Sequence, residues 1–244
     1  MILHPGRALA DAWALWKRDR ALLLPIAGLS LFLPQLAQLL LLPPSPEWPV
    51  DRSPEILAAW FETSYSQWVN AYGPWIILGY LVVLFGSVVI LTLFLDEGRP
   101  DVRGAFRRAV KVAPRFILAS FLAGVPIGLG YLLVLPGIYL LGRLMLAGPA
   151  IVASGDSATK ALARSWRVTR GSSLPAFGLA ALILLGGSVA TEPFLMLGRA
   201  MTASNSVNPV ALGLLDIGAS LVAAAAGLAM LLVEIAVWRQ LVRD

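Results

Sequence analysis

Arg143 and Asp216 are the two ionisable side chains that stand deepest inside long apolar runs. An unpaired charge inside a bilayer costs several kcal/mol, so each needs a partner. Arg143 lies seven residues beyond Pro136, and Asp216 seven beyond Pro209. At 1.5 Å per helical residue both fall roughly 10 Å below the same membrane surface. The matched depths predict an Arg143–Asp216 pair, with Glu192 as a second candidate partner and Gln35 and Gln38 placed to join the network. Such a network has two uses. It is a buried tether that fixes which helices pack together, or it is part of a polar cavity that admits a headgroup, ion or small solute. Glu234, one turn before Trp238-Arg239, is expected to reach the nearby interface.

Other chemistry is hard to find. A Ser-His-Asp arrangement needs a histidine between nucleophile and acid, and the single histidine, His4, stands beside the first residue. Zinc motifs of the H-E-x-x-H kind need two histidines, and cysteine is absent. There is no P-loop, no G-x-G-x-x-G and no carboxylate cluster suited to a metal. Asp96-Glu97 beside Arg99 reads as a solvated turn. The expectation is a protein without catalytic, cofactor or metal residues.

The elements that position these groups follow from the bulk composition. Of 244 residues 58% are hydrophobic and 14% charged, and the mean hydropathy is +0.79. Soluble domains are nearer half apolar and a quarter charged, so hydrocarbon is the natural solvent for this chain. Runs near the 20 residues a span needs fall at roughly 21–42, 74–95, 115–135, 136–153, 173–191 and 209–238. The first is too long for a signal-peptide core and no A-x-A site follows it. Leu135-Pro136-Gly137 reads as a tight turn joining the third and fourth spans. The fold class is an all-α, six-span membrane domain in one piece.

Charge orients the spans. One set of connecting segments holds Arg7, Lys17, Arg18, Arg20, Arg99, Arg103, Arg107, Arg108, Lys111, Arg115, Lys160, Arg164, Arg167, Arg170, Arg239 and Arg243. The other holds Arg52 and Arg199 against Glu47, Asp51, Glu55, Glu62 and Glu192. The positive-inside rule then puts both termini in the cytoplasm. The net charge of +5 fits anionic headgroups better than nucleic acid, because the cations flank apolar runs.

Basic amphipathic segments at about 5–19, 99–113 and 157–170 precede the first, third and fifth spans. Arg103, Arg107, Arg108, Lys111, Arg164, Arg167 and Arg170 are the residues expected to touch anionic lipid, with Trp13, Trp16 and Trp166 as interface anchors. Asp156 or Ser157 is placed to cap the third segment. Ala8-Leu9-Ala10-Asp11-Ala12-Trp13 matches Ala161-Leu162-Ala163-Arg164-Ser165-Trp166 at four of six positions, which suggests a threefold quasi-repeat of interfacial helix and helical hairpin. Convergence among Ala-rich basic helices is the alternative. The sizeable outer loop, 43–73, is proline-rich at first, then offers a helix start at Ser53-Pro54-Glu55. Phe61, Tyr65, Trp68, Tyr72 and Trp75 follow on one helical face as an outer aromatic belt. Gly124 and Gly128, and Ala219, Ala223 and Gly227, mark close-packing faces or a homodimer surface.

The stretch LPGIYLLGRLMLAGPAIVASGDSATKALARSWRVTRG, residues 135–171, resembles the membrane domain found beside some bacterial glycerophosphoryl diester phosphodiesterases and the YciC-type inner-membrane proteins. Pro136, Gly137, Ile138, Tyr139, Arg143, Pro149, Ile151, Val152, Ala161, Leu162, Ser165, Trp166, Thr169 and Gly171 stand where that pattern puts them. Ser154 and Lys160 stand where acids are usual in it. The resemblance implies a multi-span fold in the bacterial inner membrane, and it supplies no catalytic domain. The leading expectation is a non-catalytic protein that organises lipid or a protein partner through its basic face. The alternative is a lipid or small-solute transporter with a polar cavity around Arg143, Asp216 and Glu192.

Overall fold

The computed structural model describes residues 3–96, 98, 100–203 and 208–242, so Glu97, Arg99 and Arg243 lie outside the described residues. Every regular element among them is helical. Six helical stretches are long and apolar enough to cross a membrane: Pro5–Leu41, Pro54–Leu95, Val102–Tyr131, Leu135–Ser154, Arg170–Thr202 and Pro209–Val242.

The first stretch comprises α1 (Pro5–Ala27), a π-helical turn (Gly28–Phe32) and α2 (Leu33–Leu41). Asp19 leaves helical geometry at φ −113, ψ 16, which separates the basic amphipathic segment from the apolar one where the charge pattern changes. The second joins α3 (Pro54–Trp60), another π-helical turn (Phe61–Tyr65) and α4 (Ser66–Leu95). Only the proline-rich half of the expected loop is therefore extended. Pro54 does sit in the first helical turn, but Ser53 makes no side-chain cap.

α5 (Val102–Tyr131) starts on Asp101, whose carboxylate accepts from the Gly104 N–H at 2.9 Å. It runs through Pro114 as one helix, so no break divides a surface segment from a span here. Its buried stripe, Ala105, Ala109, Ala113, Phe116 and Ala119, crosses the proline at helical spacing. The three basic segments thus meet their spans in three ways: across a kink, without interruption, and, after α8 (Ala158–Val168), through a 3₁₀ turn at Arg170–Ser172.

The turn after α5 falls at Leu132–Val134, ahead of the expected Leu135-Pro136-Gly137. Val134 has φ 59, ψ −68, and the Leu135 N–H donates to the Leu133 carbonyl at 2.7 Å, a γ-turn of the strained, positive-φ form. Pro136 instead occupies the first turn of α6 (Leu135–Leu144), where its missing N–H costs nothing. The fourth stretch is broken: Met145 and Leu146 separate α6 from α7 (Ala147–Ser154), and α7 ends on Gly155 at φ 67. α9 (Ser173–Ala203) and α10 (Pro209–Val242) complete the bundle and pack against each other.

The first and last described residues share one end of the bundle. The Leu3 N–H donates to Ser172 Oγ at 3.0 Å, and Gln240 on α10 reaches Asp11 on α1 at 3.4 Å. The tight core lies in this basic half, built from Val88–Leu91 of α4, Leu146–Val152 and Leu231–Trp238 of α10. At the opposite end α2 and α3 bury no residue.

Candidate functional site: a latch and two intramembrane cavities

Breaking a helix inside hydrocarbon frees backbone groups that water cannot satisfy. The break between α6 and α7 is closed by side chains of α8. Ser165 Oγ donates to the Arg143 carbonyl at 2.8 Å and accepts from the Leu146 N–H at 3.1 Å. Thr169 Oγ1 lies 3.2 Å from the same carbonyl and 2.7 Å from the Ser165 carbonyl. Both hydroxyl residues are fully buried. The face of α8 formed by Ala158, Ala161, Ser165 and Thr169 is therefore spent on protein, where the sequence suggested lipid.

Arg143 completes this latch. Its guanidinium donates to the Trp166 carbonyl at 2.7 Å and to Ser173 Oγ at 2.8 Å, and lies 4.2 Å from the centroid of the Trp166 ring. Only 3% of the residue is exposed. No acid pairs with it among the described residues, so the expected Arg143–Asp216 pair is not formed. The reason is position. Pro136 shares a crevice with Leu174 and Phe177 from the first turns of α9, so it does not mark the opposite surface from which Arg143's depth was counted. Gly142 permits this approach, since a Cβ there would sit 2.9 Å from the Phe177 backbone.

The rest of the expected network also separates. Asp216 is partly buried and has no polar partner among the described residues. Glu192 lies 3.5 Å from Arg199, on its own helix and exposed. Gln35 is exposed, while Gln38 reaches from α2 to the Ile76 carbonyl on α4 at 3.5 Å.

On the basic face, Arg103, Arg107, Lys111, Arg167 and Arg170 are exposed and free to meet headgroups. Two others are engaged within the protein. Arg108 pairs with Asp96 at 3.0 Å and Arg164 with Asp156 at 2.6 Å, which is why Asp156 does not cap α8. Trp13 and Trp16 line an apolar groove against Leu228 and Leu232 of α10, and Trp166 covers Arg143. At the other end Trp48, Trp60, Tyr65, Trp68 and Tyr72 form a ladder of ring contacts, beginning with Trp48 on Trp60 at 4.8 Å. The Trp68 indole N–H donates to the Pro43 carbonyl at 3.2 Å and pins the extended segment to the helix. Trp75 is exposed beside the α2–α4 groove. Gly124 and Gly128 face open space, whereas Gly187 of α9 meets Ala226 of α10.

Two cavities, of about 540 and 550 Å³, flank α10 on its basic half. The first lies between α9 and α10, from Glu192 and Thr191 to Met230 and Glu234. The second lies between α4, α5 and α7 and includes Tyr80, Ser87, Ser120 and Tyr131. Leu141, Leu184 and Glu234 line both. Glu234 therefore faces the interior of the bundle, not the interface that its position near Trp238 suggested. α10 is apolar on every side, so no pattern of the sequence indicates which way Glu234 turns.

Residues 65–241, from Tyr65 through the latch to Leu241 of α10, match the family described as a domain of unknown function, DUF7847. The chain belongs to this family. The match takes in both cavities and leaves out α1, α2 and α3. No curated protein and no solved structure matches the chain.

Proposed function

We propose that this protein is a non-catalytic membrane protein that holds a lipid-like, amphipathic molecule between its helices and passes or presents it within the bilayer. The observation that carries this reading is the pair of cavities meeting at Leu141, Leu184 and Glu234. Their sizes are those of small-molecule sites, and their walls are mostly aliphatic with a few polar groups. The charge asymmetry supports a plasma-membrane location, a bacterial inner membrane on the sequence resemblance, with the basic end and both termini in the cytoplasm.

The test is native mass spectrometry of the protein released from membranes. The expected result is a co-purifying amphiphile that is lost on Ala223→Phe, which fills the α9–α10 cavity, and kept on Arg167→Ala. A protein that carries nothing, or an adduct unaffected by Ala223→Phe, would refute the reading.

The exposed cations favour a second reading, in which Arg103, Arg107, Lys111, Arg167 and Arg170 organise anionic lipid at the basic face. Each would contribute on the order of 1 kcal/mol near an anionic surface. Under that reading, loss of these charges removes selective retention of anionic lipids and cavity filling has no effect.

A further inference from the structure

Glu234 is a carboxylate on a membrane-crossing helix with no hydrogen-bond or ion-pair partner among the described residues. Its flanking residues Val233 and Ile235 are buried, and Trp238 one turn on is fully buried. Three hydroxyls of the cavity walls are spent on their own helices. Ser188 donates to the Leu184 carbonyl at 2.9 Å, Thr191 to Gly187 at 2.8 Å, and Ser87 to Val83 at 2.8 Å. Neither cavity is lined by a lysine, arginine or histidine, while Glu192 adds a second acid to the first cavity and Tyr80 and Tyr131 flank the second.

A carboxylate so placed is stabilised only by a proton or by a cation brought to it. A bare metal ion needs several hard ligands, and no group of three His, Cys, Asp or Glu able to hold one occurs among the described residues. The surroundings instead offer hydrocarbon. From Ala223 to Glu234 the first cavity follows α10 for eleven residues, about 17 Å at the helical rise, past Ile183, Leu184, Ala226 and Met230. Of the two acids on this groove, Glu192 is exposed and lies 3.5 Å from Arg199, which leaves Glu234 as the unpaired charge for a molecule with one charged head and a long tail.

We infer that the cavity takes a cationic amphiphile, a protonated amine or quaternary ammonium on a long hydrocarbon tail. Its head lies against the Glu234 carboxylate and its tail lies along the α9–α10 groove. This rests on the cavity reading above and adds the charge class of the ligand. Charge complementarity excludes anionic amphiphiles from the same groove. Neutral ones would bury their tails and pair with the acid only while it keeps its proton.

The test uses the whole protein in nanodiscs of digalactosyldiacylglycerol, an uncharged bilayer lipid without an ammonium group, with dodecyltrimethylammonium, dodecanol and laurate as probes and thermal stabilisation as the readout. Dodecyltrimethylammonium should stabilise the protein at concentrations about tenfold or more below those at which dodecanol acts, and laurate should not. Glu234→Gln should abolish that preference, Glu234→Asp should retain part of it, and Glu192→Gln should leave it intact. If Glu234→Gln does not fold, loss of the preference on Ala223→Phe with Glu192→Gln unchanged supports the same placement. Equal stabilisation by dodecanol and dodecyltrimethylammonium overturns the cationic assignment and leaves the cavity reading standing. Stabilisation by no probe overturns both, and a loss on Glu192→Gln as large as on Glu234→Gln overturns the placement of the head.

Discussion

Replacing Ser165 by Ala removes one oxygen and leaves the shape of α8 nearly unchanged, so it isolates what the latch does. In the intact protein that oxygen accepts from the Leu146 N–H and donates to the Arg143 carbonyl. Leu146 is fully buried, so its N–H is left without an acceptor in Ser165→Ala, at about 1–3 kcal/mol. The carbonyl fares better, because Thr169 Oγ1 already lies 3.2 Å away and can turn from the Ser165 carbonyl toward it. Thr169→Val alone forfeits that hydroxyl while Ser165 still covers the carbonyl, at about 0.5–1.5 kcal/mol. With both changes the Arg143 carbonyl has neither partner. The double variant should therefore lose about 1 kcal/mol more than the sum of the single losses. SDS-titrated unfolding in mixed micelles, followed by circular dichroism, measures all four corners of the cycle. Additivity within about 0.5 kcal/mol, or a Ser165→Ala protein as stable as the parent, would refute the claim that the Ser165 and Thr169 hydroxyls close the break.

Arg143→Met should cost about 2 kcal/mol through its lost contacts to Trp166 and Ser173, while Asp216→Asn stays within about 0.5 kcal/mol of the parent. The same titration checks both, and a non-additive double variant would restore the ion pair that the structure does not form. Val134→Gly should stabilise by roughly 1 kcal/mol, since the strain of φ 59 at a β-branched residue exceeds the added chain entropy of glycine. A Val134→Gly protein that unfolds earlier in a thermal scan would contradict this. Gly142→Val should cost about 1–3 kcal/mol by pushing α6 off the Phe177 backbone, and the loss should vanish if that contact is not made in the membrane.

The sequence carries the number of apolar runs, the gathering of arginines at one end and the helix start at Pro54, because each depends on composition along the chain. The kink at Asp19 is legible for the same reason, as the place where a charged amphipathic segment gives way to an apolar one. The partner of Arg143 is not. Depth along a helix gives one coordinate of a side chain, and it is counted from a surface that must be guessed. Here the turn falls at Leu132–Val134 and Pro136 lies against α9, so equal counts from Pro136 and Pro209 do not mean equal heights. Glu234 is illegible for a second reason: in a helix that is apolar all round, rotation is decided by neighbours, and no periodicity records it.

These two failures bear on where function can be looked for in this chain. Many residues that carried the resemblance, among them Arg143, Ser165, Trp166 and Thr169, converge on one job, which is to satisfy a broken helix in a solvent that forgives no bare backbone group. A motif explained by that requirement needs no ligand to account for it. Glu234, an unpaired acid that lines both cavities, belongs to no motif and is flanked by ordinary aliphatic residues. In a water-soluble protein an unpaired acid at the surface is unremarkable. Between two cavities in hydrocarbon it is a free-energy deficit that either a proton or a bound cation relieves, and whether the intact protein prefers a cationic to a neutral amphiphile decides between them.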